Sequence, residues 1–263
     1  MTNTIGFLGG GRITAIFLSA WEAKGIELGK VIVSDSDPAV LERLQAAHPG
    51  IETTLDNQDP VRQDVVFLAL HPPVMKTLLP TVAQSLSPNS TVVSLAPVLD
   101  FASLRTGLNG HGRLVRMIPN APALVGLGYN PMVFGPGATP EDHERVSGLF
   151  RALGECPLVP EGQLEAHAIL TAMGPTYFWP QWQVLRELGQ SFGLDGKTVD
   201  RGLAAMLHGA VTQMLERGYS FDEVMDTIPA KPLAEAQEAL QAPFKEKLPA
   251  LHAKLTSAAN RSN

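Results

Sequence analysis

The segment GFLGGGRIT near the start of the chain carries three consecutive glycines, Gly9, Gly10 and Gly11. Gly9 and Gly11 occupy the first two glycine positions of the G-x-G-x-x-G pattern of dinucleotide-binding turns, and Thr14 stands at the third. Gly9 allows a tight turn, and Gly11 lets the backbone approach a pyrophosphate. A helix that begins near Arg12, with Ile13 as its next residue, would point its unpaired N–H groups at the same anion. The spacing therefore predicts a dinucleotide-binding loop, and the alternative is a glycine-rich turn that binds no ligand.

An acidic residue follows the second apolar run at the distance that ribose recognition requires. Asp35 lies 24 residues after Gly11 at the end of KVIVSD, and Ser36 follows it. A carboxylate there accepts hydrogen bonds from both hydroxyls of the adenosine ribose, which favours NAD. An NADP site needs Arg or Lys near the 2′-phosphate, and Arg12 is the one nearby cation that the sequence offers. The segment predicts NAD or NADP as cofactor, with NAD slightly favoured.

Two further apolar runs end in segments that should flank the nicotinamide half of such a cofactor. The third run ends in LALHPPV, with Ala69, Leu70, His71 and Pro72, and the fourth ends in SLAPV, with Ala96. In open α/β sheets, ligands bind outside the carboxyl ends of the strands. His71 is a candidate for proton transfer, and a role at the rim without proton transfer is equally open.

The elements that must position these residues follow from the alternation of apolar and amphipathic segments. From Thr4 to about Val159, continuous β-branched runs alternate with amphipathic helices, as in a parallel sheet covered on both faces. After about Gly162 the strand signals stop and three helical segments follow, and Pro243 and Pro249 should break or kink the last of them. We predict an α/β protein: a doubly wound, Rossmann-type dinucleotide-binding domain over 1–160 and an all-helical domain for dimerisation and substrate binding over 161–263.

Composition excludes several classes of function. The 263 residues carry a net charge of −6 without a cluster of Lys and Arg, so we expect no nucleic-acid partner. No apolar run approaches the length of about 20 residues that spans a bilayer, so we expect no membrane partner. The histidines stand at spacings that predict no metal site. The one cysteine, Cys156, is expected to be a buried strand residue, and a cytoplasmic location fits best.

Four segments of the chain are similar to segments of one known enzyme family: IGFLGGGRIT, DVVFLALHPPVM, RLVRMIPNAPALVGLGYNPM and LTAMGPTYFW. The family that they resemble is pyrroline-5-carboxylate reductase, the NAD(P)H-dependent enzyme of the last step of proline biosynthesis. The third, similar to the family pattern R-x-M-P-N-T-P-A-x-V-G-x-G, is the most specific. The resemblance implies reduction of a small cyclic imino acid and an interleaved helical homodimer, or a higher homo-oligomer, whose subunits complete each other's sites. It also aligns Asn57 with an adenine-side asparagine of the family.

The chain departs from the family pattern at three places. His71 stands where the family has a lysine, and Thr171 begins Thr-Ala-Met in place of Ser-Gly-Ser. The family's substrate loop P-G-G-T-T is matched by TIPAKPLAE, in which positions 230–232 read Ala-Lys-Pro. The loss of two glycines removes backbone freedom, and the loss of threonine removes a donor. Lys231 would instead bind a carboxylate as a point charge.

Imine reduction needs a hydride at carbon and a proton or donor at nitrogen. The candidates for protonation or orientation are His71, Asn120, Thr171, Thr176 and Tyr177, with Lys231 on the substrate carboxylate. Asn120 has a second interpretation as a turn residue that bonds its own backbone. The leading hypothesis is an NAD(P)H-dependent reductase of an imino or oxo acid. The alternatives are a catalytically inactive dinucleotide-binding regulatory protein and an enzyme similar to F420-dependent NADP oxidoreductases.

Overall fold

The computed structural model describes residues 3–260, and its strands account for most of the apolar runs. In chain order they are β1 Ile5–Leu8, β2 Val31–Ser34, β3 Glu52–Thr54, β4 Val65–Leu68, β5 Thr91–Ser94, β6 Leu114–Met117, β7 Gly128–Tyr129, β8 Met132–Phe134 and β9 Gly154–Glu155. Seven of them form one sheet in the order β3-β2-β1-β4-β5-β6-β8, in which β8 alone is antiparallel to its neighbour. This is the predicted doubly wound arrangement, and β7 pairs separately with β9.

Helices connect the strands and continue after the sheet is complete. They are α1 Arg12–Ala23, α2 Pro38–Ala47, α3 Gln58–Val61, α4 Pro72–Ser85, α5 Phe101–Gly107, α6 Pro140–Phe150, α7 Leu164–His167, α8 Pro175–Ser191, α9 Gly196–Val211, α10 Phe221–Asp226 and α11 Gln237–Asn260. The residues Ala168–Ala172 form a π-helical segment after α7. Local chemistry sets several helix starts: Asp37 accepts a hydrogen bond from the Ala39 N–H at 2.9 Å, and Pro38 occupies the first turn of α2. The last helix, α11, continues through both Pro243 and Pro249.

The core lies on both faces of the sheet, which is why the central strands have no polar alternation. On one face Phe7 and Phe67 stack at 4.6 Å between ring centroids and pack with Phe17, Trp21 and Phe150. The opposite face packs against α4 and α5 through a second buried cluster. Every residue of β1, β4 and β6 is buried, so the sheet holds its carboxyl-end loops on a rigid frame.

The contacts between Cα atoms divide the chain into two compact units. The sheet unit comprises the chain up to Met173 together with the stretch from Ala250 onward, and the helical unit comprises Gly174–Pro249. In the helical unit α8 packs against α9, where Gly189 lies close to Val199 and Arg186 pairs with Asp200 at 2.6 Å. The boundary predicted after residue 160 stays a prediction about folding domains, which a division by contacts does not test.

Candidate functional site

The loop between β1 and α1 has the backbone shape that requires glycine. Gly9 has φ +107°, and a Cβ there would lie 2.5 Å from the Ala69 carbonyl oxygen. At Gly11 the backbone is extended and the space around a Cβ is open, with no atom of the described residues within 4 Å. Gly9 is therefore needed for the turn, whereas Gly11 keeps the space in front of the α1 N-terminus free for a ligand.

Thr14 fills the third glycine position of the pattern without disturbing the loop. Its side chain is fully buried, and its hydroxyl donates a hydrogen bond to the Gly9 carbonyl oxygen at 2.6 Å. The Thr14 hydroxyl thus gives the Gly9 carbonyl oxygen a hydrogen-bond partner, so the residue at the third glycine position supports the turn. The motif pattern alone gives no sign of this bond.

Asp35 joins the end of β2 to the glycine loop. Its carboxylate accepts hydrogen bonds from the Gly10 N–H at 2.8 Å and from the Asp37 N–H at 3.0 Å. The predicted neighbours differ in their surroundings. Ser36 is exposed, while Asn57 accepts a hydrogen bond from the Ser34 hydroxyl at 2.8 Å. Asp35 therefore lies at the carboxyl edge of the sheet, beside the loop that would hold a pyrophosphate.

A cleft of about 620 Å³ opens in front of the glycine loop. It is lined by Gly10, Gly11, Arg12, Ile13, Ala15, Val40, Arg43, Leu44, Ala47, Ala69, Leu70, His71 and Leu95. Seven of the residues predicted for the cofactor site are among them: the loop from Gly10 to Ile13 and the segment from Ala69 to His71. The structure thus brings the first helix and the turn after β4 to one place.

Six other residues predicted for the cofactor site are not part of this lining, namely Gly9, Asp35, Ser36, Asn57, Pro72 and Ala96. Gly9 and Asp35 support the lining loop from behind, as described above. At the end of β5 the residue that lines the cleft is Leu95, and Ala96 beside it is buried.

One wall of the cleft comes from α2, which the sequence reasoning did not include. The wall consists of Val40, Arg43, Leu44 and Ala47, which follow the i, i+3, i+4, i+7 spacing of one helix face. This spacing is a signal that the sequence carries. The sequence does not show which helix lies beside this face of α2. In the structure β2 pairs with β1, and right-handed crossovers then place α1 and α2 on the same face of the sheet.

His71 lies at the start of α4, where it lines the cleft with an exposed side chain. Its backbone carbonyl accepts the hydrogen bond of the Met75 N–H at 3.0 Å, so the helix fixes the position of the residue. Of the residues that line this cleft, His71 is the one with an imidazole, a side chain that commonly transfers protons in enzymes. The placement fits a proton donor and also a rim residue, the two roles left open by the sequence.

Asn120 is buried, and its side chain forms hydrogen bonds with backbone groups. Its Oδ1 accepts from the Tyr129 N–H at 3.2 Å, and its Nδ2 donates to the Thr171 carbonyl oxygen at 3.3 Å. The Thr171 hydroxyl in turn donates to the His167 carbonyl oxygen at 2.8 Å within the π-helical segment. The polar groups of the Asn120 and Thr171 side chains are thus engaged in hydrogen bonds within the protein. These bonds hold the segment before Gly174.

Two further predicted site residues, Tyr177 and Lys231, belong to the helical unit. Tyr177 on α8 lies edge-to-face with Phe244, with ring centroids 5.7 Å apart, and burial raises the pKa of its phenol. Lys231 is exposed and lines a separate cavity of about 560 Å³ whose other lining residues are mainly apolar, including Val224, Ile228 and Leu240. The TIPAKP segment therefore presents a cation at the edge of an apolar cavity.

A buried arginine fixes the loop after β5, and sequence reasoning gave it no role. Arg116 on β6 is 2% exposed; it donates to the Pro97 carbonyl oxygen at 2.7 Å and to Glu165 at 2.8 Å. It also pairs with Glu161 at 2.8 Å, which accepts from the Phe101 N–H at 2.7 Å. The charge of Arg116 is paired, and the network ties the loop that follows Ala96 to α7.

Within residues 3–260, neither Cys156 nor a cluster of possible metal ligands provides a second reactive centre. Cys156 lies just past β9 and is half-buried rather than a buried strand residue, and burial raises its thiol pKa to about 11. The thiol is therefore protonated and unreactive at neutral pH. Across residues 3–260, no group of three or more His, Cys, Asp or Glu side chains has the arrangement of a metal site. None of the helices in this range is both long and apolar enough to cross a membrane.

Comparison with known proteins places this architecture among nucleotide-dependent reductases. Residues 4–97 match the family described as "NADP oxidoreductase coenzyme F420-dependent". The chain is 28% identical over 226 residues to a pyrroline-5-carboxylate reductase of Methanosarcina acetivorans, covering 85% of this chain and 83% of the relative. It is 29% identical over 203 residues to the reductase of that name from Pseudomonas aeruginosa, covering 76% and 74%.

Solved structures of pyrroline-5-carboxylate reductases also match this chain, over nearly its full length. A pyrroline-5-carboxylate reductase from Coxiella burnetii matches with a TM-score of 0.69 and 25% identity, covering 100% of this chain and 98% of that one. The pyrroline carboxylate reductase of Plasmodium falciparum, solved with NADP bound, shares the fold with a TM-score of 0.73 at 18% identity, covering 99% and 97%. The resemblance predicted from four sequence segments is thereby confirmed. The chain is thus similar to pyrroline-5-carboxylate reductases, which are NAD(P)H-dependent enzymes, over most of its length.

Proposed function

We propose that this protein reduces a small cyclic imino acid, most simply pyrroline-5-carboxylate to proline, with NADH or NADPH as reductant. The observation that supports the proposal most directly is the cleft in which the glycine loop, the start of α1 and His71 meet. The match to the F420-dependent NADP oxidoreductases covers 4–97 alone, so it supports the nucleotide site and says nothing of a second substrate.

The cleft fits a dinucleotide by its own geometry. A pyrophosphate would lie in the open space at Gly11. The absence of a side chain at this position keeps that space free. The N–H groups at the start of α1 and the dipole of this 12-residue helix favour an anion in that space. Asp35 lies beside the loop and would accept hydrogen bonds from ribose hydroxyls. When bound, the dinucleotide supplies a hydride, which carries two electrons to the imine carbon.

The residues of this chain would supply the proton and the grip on the substrate. We assign the protonation of the imine nitrogen, directly or through a water molecule, to the imidazole of His71. Lys231 would bind the substrate carboxylate as a point charge in place of the family's glycine-rich loop. Asn120 and Thr171 act as positioning residues, because their hydrogen bonds hold the chain segment that leads to Gly174.

The helical unit supports a homodimer as part of the same proposal. Large apolar side chains are exposed along α8, α9 and the segments that follow, including Trp179 at 46%, Phe192 at 76% and Leu215 at 71% exposed. An apolar surface of this extent marks an interface between proteins. We propose that a second copy of the chain covers it. Measurement of the molar mass in solution by light scattering tests this: a monomer at micromolar concentration contradicts it.

The experiment that tests the reductase combines turnover with binding. Oxidation of NADH and NADPH is followed with pyrroline-5-carboxylate, with a six-membered cyclic imino acid and with an open-chain oxo acid. Turnover that depends on one of the cyclic substrates supports the proposal. Micromolar binding of either nucleotide without turnover on any substrate contradicts it and favours the inactive regulatory protein.

A further inference from the structure

The buried arginine at the carboxyl edge of the sheet is bound by more negative charge than it neutralises. Arg116 pairs through Nη1 with Glu161 and through Nη2 with Glu165, both at 2.8 Å. Arg116 is 2% exposed and Glu165 is 4% exposed, so this part of the cluster is shielded from water. The ion pairs found among residues 3–260 bring no second cation to either carboxylate. Two carboxylates and one guanidinium therefore leave one negative charge in excess.

The cluster is attached to the loop that follows β5, beside the cofactor cleft. Arg116 donates to the Pro97 carbonyl oxygen at 2.7 Å, and Glu161 accepts from the Phe101 N–H at 2.7 Å. Pro97 follows Leu95, which lines the cleft, by two residues, so their Cα atoms are at most about 7.6 Å apart. The end of β5 is where the sheet edge would flank the nicotinamide half of a bound dinucleotide. The excess charge thus lies near the reacting end of the proposed cofactor.

The sign of this charge matches the change that hydride transfer makes in the cofactor. The reduced nicotinamide ring is neutral, and the ring is positively charged once its hydride has passed to the imine carbon. The electron pair of the C=N bond goes to the nitrogen, which takes up a proton. A negative charge near the ring favours the oxidised form, and a charge that is already fixed in place costs no reorganisation during the reaction.

The distances decide whether the carboxylates or the guanidinium dominate at the ring. Coulomb energy falls with the inverse of distance, so two carboxylates outweigh one guanidinium wherever they lie less than twice as far away. The paired atoms are 2.8 Å apart, so the distances from the ring to the three groups differ by only a few ångströms. Burial of Arg116 and Glu165 also lowers the effective dielectric constant below that of water. The net effect at the ring is that of a negative charge.

We infer that Glu161 and Glu165 stabilise the positive charge that forms on the nicotinamide, an inference that rests on the proposed reductase. Both carboxylates act through space, without contact with the cofactor or the substrate, and Arg116 holds them in position. The same charge favours the oxidised nucleotide over the reduced one in binding. A network that only supports the fold would affect the binding of both forms alike.

The test compares the dissociation constants of NADP⁺ and NADPH without substrate, by fluorescence titration with NADPH and its displacement by NADP⁺ at low salt. NAD⁺ and NADH replace them if the parent protein binds that pair more tightly. Glu161→Gln removes one charge at a side chain that is 34% exposed, and Glu161→Asp retains the charge. Glu141→Gln is the matched control, because Glu141 is also ion-paired, to Arg145 at 2.8 Å, and Arg145 contacts Thr91 at the opposite end of β5.

We expect the ratio of the NADP⁺ to the NADPH dissociation constant to rise at least about threefold in Glu161→Gln. The ratio should change less than twofold in Glu161→Asp and in Glu141→Gln. With pyrroline-5-carboxylate, kcat of Glu161→Gln should fall by a similar factor. Gln163→Glu, at an exposed position of the same segment, adds a negative charge and should lower the ratio, and its sign decides if Glu161→Gln does not fold.

Several results would overturn the inference. A ratio that stays constant or falls in folded Glu161→Gln shows that the cluster is structural only, while turnover by the parent protein leaves the proposed reductase intact. An equal rise in Glu161→Asp assigns the effect to geometry and not to charge. A parent protein that binds the nucleotides but reduces no imino acid contradicts the proposed function, whatever the ratio. Binding of neither nucleotide removes the inference and the proposed function together.

Discussion

The Asp35 carboxylate and the Gly10 amide are joined by a hydrogen bond of 2.8 Å that links the end of β2 to the loop after β1. Twenty-five residues separate the two in the chain, and the parallel pairing of β1 with β2 brings them together. The acid that would recognise the ribose is thus held by the same loop that would recognise the pyrophosphate.

Asp35→Asn should shift the cofactor preference toward NADPH. The amide oxygen of Asn still accepts the Gly10 hydrogen bond, but the negative charge near the 2′-phosphate is gone. Removal of a repulsion of about 1 kcal/mol changes the ratio of the two dissociation constants about fivefold. Fluorescence titration with both nucleotides measures the ratio. Asp37→Asn is the control, because that carboxylate caps α2, and an unchanged ratio in Asp35→Asn contradicts the assignment of the residue to the ribose.

Gly11→Val should abolish dinucleotide binding and leave the protein folded. The position has an ordinary extended backbone and open space around its Cβ, so the valine clashes with the ligand and not with the protein. We expect the dissociation constant of NADPH to rise at least a hundredfold while the circular dichroism spectrum stays the same. The control Gly148→Val lies on α6, where the space is also open, and should bind normally. A folded Gly11→Val protein with normal affinity would refute the loop as the pyrophosphate site.

Lys231→Ala should raise KM for the imino acid at least tenfold, with little change in the affinity for the cofactor. A hydrogen bond to a charged group contributes about 1.5–3 kcal/mol, which corresponds to a factor of about ten or more. Steady-state kinetics with pyrroline-5-carboxylate and the nucleotide titration together separate the two effects. Lys245→Ala on α11, another exposed lysine of the helical unit, serves as control. If KM stays constant in the Lys231 variant, the rewritten loop does not bind the carboxylate.

Asp142 should carry a measurable part of the acid sensitivity of the fold. Burial opposes its ionisation, but hydrogen bonds from Arg113, from the Thr139 backbone and from the side chains of Thr91 and Thr139 lower its pKa to about 2. A carboxyl with a lowered pKa stabilises the native state above its unfolded pKa of about 4. That stability is lost as the pH falls from about 4 toward about 2.

Asp142→Asn should therefore lower the free energy of unfolding by about 3 kcal/mol at pH 7, because Arg113 loses its buried partner. Urea denaturation between pH 2 and pH 7 provides the measurement, and the variant should lose less stability than the parent protein between pH 4 and pH 2. Glu144→Gln, an exposed acid on the same helix, is the control. Parallel pH profiles of variant and parent would contradict the assignment.

Much of the sheet could be predicted because its strands are continuous apolar runs. The exception is β3, whose residues Glu52, Thr53 and Thr54 are polar and at least partly accessible, so no hydrophobic pattern marks it. The prolines are a second difference, because the sequence predicts a break or a kink in the last helix. The structure has no break there, since α11 is continuous through Pro243 and Pro249.

The candidate site also has a part that the sequence predicts and a part that depends on the fold. The glycine loop and the turn at His71 are contiguous motifs, and the sequence places them at strand ends directly. The α2 wall depends on which strands are neighbours, so Arg43 has no visible role before the sheet order is known. The side chain of Asn120, a candidate for chemistry, is held by two backbone groups that lie 9 and 51 residues away. No local pattern contains contacts at such separations.

The bond between Thr14 and Gly9 has a kinetic consequence. It holds the turn in shape from within the protein, before any ligand arrives. Binding then requires no ordering of the loop, and little conformational entropy is lost there. The observed association rate should increase linearly with nucleotide concentration in stopped-flow mixing, without the plateau that a slow loop rearrangement produces. The Thr14 hydroxyl thus orders the loop within the protein, so that the ligand does not have to order it on binding.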